Sequence, residues 1–274
     1  MSFTTSAAAI AAAKAEGRGA LVGYLPVGYP SVPGSLAALR TLCGADGLTP
    51  GVDLVEIGLP YSDPVMDGPV IQRAGTRALE RGVRTRDVFA AVETVRAAGR
   101  PAVVMTYWNL VERYGVEAFA RDLANAGGSG LITPDLVPDE AGEWLTASDA
   151  YQLDRVFLVS PSSTDERIAM TAQAARGWLY ATAVMGVTGT RVTSSDAAPK
   201  LVERIRALAP EILVGVGLGV SNGDQAAAVV KFADAVIVGS AFIKPLLAAE
   251  DAGDPADLTG LRTAVADLTA GVRR

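Results

Sequence analysis

The chain has 274 residues, is half apolar, and carries 24 basic against 30 acidic side chains, a formal charge of −6. Such a length and composition support a sizeable core. The negative balance excludes attraction of nucleic acid or anionic membranes by net charge, so any phosphate site must be local.

One cysteine, Cys43, and no histidine are present. This excludes an intrachain disulfide and fits a reducing, cytoplasmic setting. It also removes the usual general base and the commonest metal ligand. Proton chemistry then falls to carboxylates, tyrosine, lysine or the thiol. No apolar run reaches the roughly 18–20 residues of a membrane span. The opening MSFTTSAAAIAAAKAEG reads as a capped, Ala-rich helix rather than a signal peptide.

Short apolar runs then alternate with longer amphipathic segments. ALVGYLPV (20–27) comes first. VDLVEI (52–57) follows and leads into the acid-bearing stretch GLPYSDPVMDGP. AVVMTYW (102–108), GLIT (130–133) and RVFLVS (155–160) come next, the last followed by Ser163-x-x-Glu166, which has the form of a capping box. WLYATA (178–183) runs into the loop VMGVTGTRVTSS (184–195), after which Asp196 caps a helical stretch. ILVGVG (212–217) and AVIVG (235–239) complete the set, with Gly223 and Asp224 opening the helix between them. Runs rich in Val, Ile and Leu and bounded by Gly, Pro, Asp or Ser read as buried parallel strands.

Eight strands, each followed by a helix and with no linker between them, predict one (β/α)8 TIM barrel. The expected organisation is a single domain over 1–274: an N-terminal helix at 1–19, the barrel over 20–250 and a C-terminal helix at 251–274. A doubly wound open sheet is the alternative, and it would need a topological switch point.

In such barrels the chemistry sits at the C-terminal strand ends and the loops beyond them. Glu56 ends the second strand, on the same face as Leu54 and Val52 by two-residue alternation. If that face points inward, burial raises its pKa above the ordinary value of about 4.3 and suits it to give and take a proton. The alternative is a salt-bridged strand-end Glu. Asp63 and Asp67 lie in the following loop (58–68), where Asp-Pro and Asp-Gly also serve as turn makers. The loop exceeds the usual two to six residues and so reads as a lid, as does 184–195. The glycine-rich turns GVGLGVSNG (215–223) and VGSAF (238–242) follow the seventh and eighth strands, where backbone amides and a helix N-terminus commonly hold phosphate. Tight-turn geometry alone would explain the same glycines.

The segments EIGLPYSDPVMDGP, FLVSPSSTDERI, MGVTGTR and VGVGLGVSNGDQ, in this order along the chain, together resemble the α subunit family of tryptophan synthase, a resemblance that extends from about Ala20 to Leu247. The resemblance implies reversible retro-aldol cleavage of indole-3-glycerol phosphate to indole and glyceraldehyde 3-phosphate. It implies no cofactor in this chain. Indole would pass to a pyridoxal-phosphate (PLP) β subunit in an α2β2 heterotetramer. Family roles then fall on Glu56, Asp67 and Tyr180 as catalytic residues, and on Asp63 for coupling to the partner. They fall on Tyr24, Tyr107 and Ile132 around the indole, on Gly189, Gly219, Gly239 and Ser240 at the phosphate, and on Thr188 in the closing sixth loop. The chain departs from many members at Val184, where they have Arg, and at Pro26, where they have Thr. A stand-alone indole-glycerol-phosphate lyase and a catalytically weak regulatory barrel stay open as alternatives.

Overall fold

The computed structural model describes residues 5–182 and 196–274. Helix α1 (Ser6–Ala15) is capped by Thr5, whose hydroxyl accepts from the amide of Ala8. The chain then runs through β1 (Ala20–Pro26), α2 (Val32–Leu42), β2 (Leu54–Gly58), α3 (Pro69–Glu80), α4 (Asp87–Ala97) and β3 (Ala102–Met105). Next come α5 (Trp108–Tyr114), α6 (Val116–Asn125), β4 (Gly130–Ile132), a 3-10 turn (Pro138–Glu140) and α7 (Gly142–Ala150). After β5 (Asp154–Val156) and β6 (Leu158–Val159) lie α8 (Asp165–Ala174), β7 (Trp178–Thr182), α9 (Ala197–Leu208), β8 (Leu213–Gly217) and α10 (Gly223–Val229). β9 (Ala235–Val238), α11 (Ser240–Asp251) and α12 (Thr259–Gly271) complete the fold.

All strand pairings are parallel, in the order β5-β4-β3-β2-β1-β9-β8-β7-β6. The predicted fifth strand, 155–160, is divided at Phe157 into β5, which pairs with β4, and β6, which pairs with β7. Phe157 still accepts from the amide of Tyr180 at 3.0 Å, so the two halves act as one stave and the eight staves form the predicted barrel. The helical layer is richer than one helix per strand, with paired helices after β2, β3 and β9. The expected capping box at Ser163 is replaced by Thr164, whose hydroxyl accepts from the amide of Arg167, while Ser163 turns back to Ser160.

Two apolar layers result from strand alternation. Val22, Leu54, Val103, Ile132, Val156, Trp178, Ala235 and Ile237 fill the barrel, whereas Leu21, Val55, Ile57, Val104 and Val236 pack outward against the helices. Val52 belongs to the outer layer because β2 begins only at Leu54, so it does not share the inward face of Glu56 as alternation from 52 suggested.

Ile10 and Ala13 of α1 plug the bottom of the barrel. Three buried carboxylates hold that helix and the turn after it. Asp154 accepts from Ser6, Asp234 pairs with Lys14 at 2.8 Å, and Asp53 takes both guanidinium nitrogens of Arg18 at 2.8 and 2.9 Å. On the outside, Arg73 and Arg77 of α3 and Arg81, its C-cap, bind Glu250 and Asp251 at the end of α11, locking those two helices together. Among the described residues, no helix is long and apolar enough to cross a membrane.

Candidate active site

At the C-terminal end of β2, Glu56 points into the barrel between Tyr24 of β1 and Val103 of β3 in register. It is 1% exposed, and its Oε2 is buried with no hydrogen-bond partner among the described residues. Burial first, and the charge of Asp67 second, push its carboxyl up to about 8. Asp67 closes the loop 59–68 just before α3, and burial pushes its carboxyl up to about 6.

Three tyrosines surround the acids. Tyr24 and Tyr180 are held well above the usual phenol range, by burial first and then by the charges of both Asp67 and Glu56, so the four groups face one space. Glycines on neighbouring strands make room for the rings. A Cβ on Gly58 would lie 2.1 Å from the Tyr24 hydroxyl, and one on Gly217 would lie 2.5 Å from that of Tyr180.

The third tyrosine, Tyr107, was expected beside the indole. Its hydroxyl accepts from the amides of Val65 and Met66, each at 3.0 Å, and so fastens the acid loop to the end of β3. Tyr61 stacks on it with centroids 4.7 Å apart. The predicted strand through 108 stops at Met105 because the Trp108 amide donates to Asp135 at 3.0 and 3.1 Å and starts α5. Ile132 sits fully buried at the end of β4, inside the barrel.

β8 and β9 are adjacent, so the turns beyond them lie side by side. Gly219 has φ +74°, a conformation that suits glycine, and nothing lies within 4 Å of the Cβ it lacks. Gly239 is the N-cap of α11 and Ser240 its first residue, which leaves the first amides of a twelve-residue helix free to face an anion. Within the same glycine-rich run, Gly215 and Gly217 accommodate Trp178 and Tyr180. Asp63 is exposed and accepts from its neighbour Ser62 at 2.6 Å. Thr188, Gly189 and the departure at Val184 lie outside the described residues.

The residues not foreseen from the sequence are Tyr61, Asp135 and Trp178. Trp178 alone carried a readable signal, since it shares the inward face of Tyr180 two residues on.

A family model described as the tryptophan synthase alpha chain matches residues 10–269. The tryptophan synthase alpha chain of Salinispora tropica is 60% identical over 261 residues, covering 95% of each chain. A structure of Mycobacterium tuberculosis tryptophan synthase superposes with a TM-score of 0.89 at 54% identity, covering 98% of each chain. A Pyrococcus furiosus structure, described in connection with mutual activation of the tryptophan synthase α2β2 complex, gives a TM-score of 0.81 at 31% identity over 92% of this chain and 98% of that one.

Proposed function

The chain belongs to the tryptophan synthase alpha chain family, whose members are lyases cleaving indole-3-glycerol phosphate to indole and glyceraldehyde 3-phosphate, and we propose that Glu56 and Asp67 divide that reaction here. Indole leaves poorly as a carbanion, so C3 of the ring must first take a proton. Protonation puts positive charge on the ring, shared with N1. The bond from C3 to the side chain then breaks with its electron pair returning to the ring. The hydroxyl on the departing carbon loses its proton and becomes the aldehyde.

The two carboxyls suit these opposite tasks near neutral pH. With its carboxyl at about 8, Glu56 is mostly protonated and can deliver the proton to C3. Its carboxylate then recovers a proton from the hydroxyl and the cycle closes. With its carboxyl at about 6, Asp67 is mostly ionised and offsets the charge developing at N1–H. Tyr24 and Tyr180 stay neutral and wall the ring. The phosphate is held by amides of Gly219, Gly239 and Ser240. No step asks for a cofactor from this chain. The indole passes to a β subunit carrying pyridoxal phosphate in an α2β2 assembly.

The observation that carries this reading is the inward Glu56, 1% exposed, with one carboxylate oxygen left unpartnered. A buried polar atom without a partner costs about 1–3 kcal/mol, a strain that a reacting group can relieve. Indole release from indole-3-glycerol phosphate tests the assignment. Glu56→Gln is expected to lose at least about 100-fold in rate with an unchanged circular dichroism spectrum. A variant keeping more than about a tenth of the rate, well above that range, removes Glu56 from the chemistry.

A further inference from the structure

A second inward carboxylate, Asp154, lies at the opposite end of the barrel and takes no part in the mechanism above. It is 2% exposed and accepts from both the hydroxyl and the amide of Ser6, at 2.6 and 2.9 Å. The same Ser6 hydroxyl accepts from the indole Nε1 of Trp178 at 3.0 Å. Trp178 is fully buried and stacks on Tyr180, with ring centroids 5.9 Å apart and planes inclined by 26°. Tyr180 in turn feels the charges of Glu56 and Asp67. A continuous column therefore runs from the plug helix α1 to the acids at the mouth.

β8 is shaped to this column. Gly215 faces the six-membered ring of Trp178, where a Cβ would come within 2.7 Å, and Gly217 faces the Tyr180 hydroxyl, where one would come within 2.5 Å. At Gly215 and Gly217 no β8 side chain stands beside either ring, and Leu213, the register partner of Trp178, packs into the same inner layer. The height of each ring along the barrel axis is left to the contacts above and below it. For Tyr180 the contact below is Trp178. For Trp178 it is the Ser6–Asp154 pair.

We propose that Trp178, anchored from below by Ser6 and Asp154, is a positioning residue for the cleavage reaction: it sets the height of the Tyr180 ring beside Glu56. The inference rests on the reading of Glu56, Asp67 and Tyr180 given above. Trp178 does not reach the mouth itself. Its effect is on where the phenol stands, and so on the geometry in which Glu56 meets C3. Misplacement by about 1 Å at such a distance from the chemistry costs up to about 100-fold in rate. Substrate affinity depends chiefly on the phosphate turns beyond β8 and β9, which Trp178 does not touch, so the loss falls on kcat and not on KM.

The test is a double-mutant cycle on the chain saturated with a β subunit, using indole-3-glycerol phosphate as substrate and indole release as readout. Trp178→Leu is expected to lower kcat about tenfold or more with KM changed less than about twofold. Trp178→Phe keeps a ring under Tyr180 but loses the Nε1 bond to Ser6, so its kcat falls between those of the parent and Trp178→Leu and matches that of Ser6→Ala. Ser6→Ala removes the anchor without touching either ring and lowers kcat in the same direction. In a Tyr180→Leu background, Trp178→Leu and Ser6→Ala have no further effect on kcat, since the group they position is gone. Additive losses in that background, equal losses for Phe and Leu, or a change confined to KM each overturn the proposal. Should Trp178→Leu fail to fold, the Ser6→Ala arm of the cycle decides in the same way. A Tyr180→Leu chain with full activity would instead remove Tyr180 from the site and the proposal with it.

Discussion

Glu56 keeps its proton in the folded chain to about 8, against about 4.5 for an unburied Glu. Stability linked to this group is therefore fully present below about 4.5 and is lost as pH rises through about 8, because the unfolded chain releases the proton first. Glu56→Gln removes that titration. Its unfolding free energy, relative to the parent, should rise by about 1.4 kcal/mol per pH unit between pH 5 and 8 and then level off. Denaturant unfolding at four pH values measures this, and a flat difference would mean that Glu56 ionises normally. Asp67 gives a kinetic counterpart. The profile of kcat/KM against pH should be bell-shaped, with limbs near the values of about 6 and about 8 that belong to Asp67 and Glu56. Asp67→Asn should lose the acid limb and lower kcat far more than it raises KM, since the charge it offsets exists mainly in the transition state. A change in KM alone would leave Asp67 as a positioning group. At this scale Glu56 was legible because an acid ending an inward apolar strand has few other uses. The anchor of Trp178 was not, because Ser6 and Trp178 stand 172 residues apart and only the closed barrel brings them together.

At the scale of elements, the staves were legible from runs of Val, Ile and Leu between Gly and Pro, since parallel strands covered on both faces need little else. What escaped were features set by distant partners. Asp135 draws the chain into α5 at Trp108, and the Arg73, Arg77 and Arg81 row turns α3 toward the end of α11. The glycine-rich run 215–223 contains two kinds of position. Gly217 lies under the Tyr180 hydroxyl, whereas Gly219, at φ +74°, faces open space. Substitutions at the two should separate accordingly. Gly219→Val should weaken inhibition by glycerol 3-phosphate about tenfold or more, since one misfitted polar anchor is worth about 1.4 kcal/mol or above. Gly217→Ala should leave that inhibition within about twofold and lower kcat, because its Cβ displaces the phenol and not the anion. Inhibition constants and turnover on the two variants decide the matter. Equal weakening of glycerol phosphate binding by both would return the whole turn to the phosphate site.

For the whole molecule, the question is why a barrel with its acids in place should depend on another subunit. The loop 59–68 carries Asp67 at its end and Val65 and Met66 near its tip, which are 77% and 45% exposed, and Val137 beyond β4 is 44% exposed at the same end of the barrel. Large apolar side chains left in water around a catalytic mouth suit a surface that a partner covers. Toward its tip that loop is fastened to the barrel through the Tyr107 hydroxyl and the stacking of Tyr61 on Tyr107, both on one side, so its position is open to bias from outside. A β subunit that binds the closed arrangement better raises activity by shifting a population, without adding a catalytic group. The gain is bounded by the closed fraction of the lone chain, so a loop already closed gains nothing. Indole release titrated with a β subunit from a close relative should therefore rise and saturate. Val65→Ser combined with Met66→Ser should move the midpoint to higher concentration, because it weakens binding. Asp63→Ala should leave the midpoint and lower the plateau, because the coupling role implied for Asp63 concerns the loop's response and not its cover. A flat titration despite a complex seen by ultracentrifugation would make the chain a stand-alone lyase. Strong stimulation unaffected by all three substitutions would place the coupling elsewhere on the barrel.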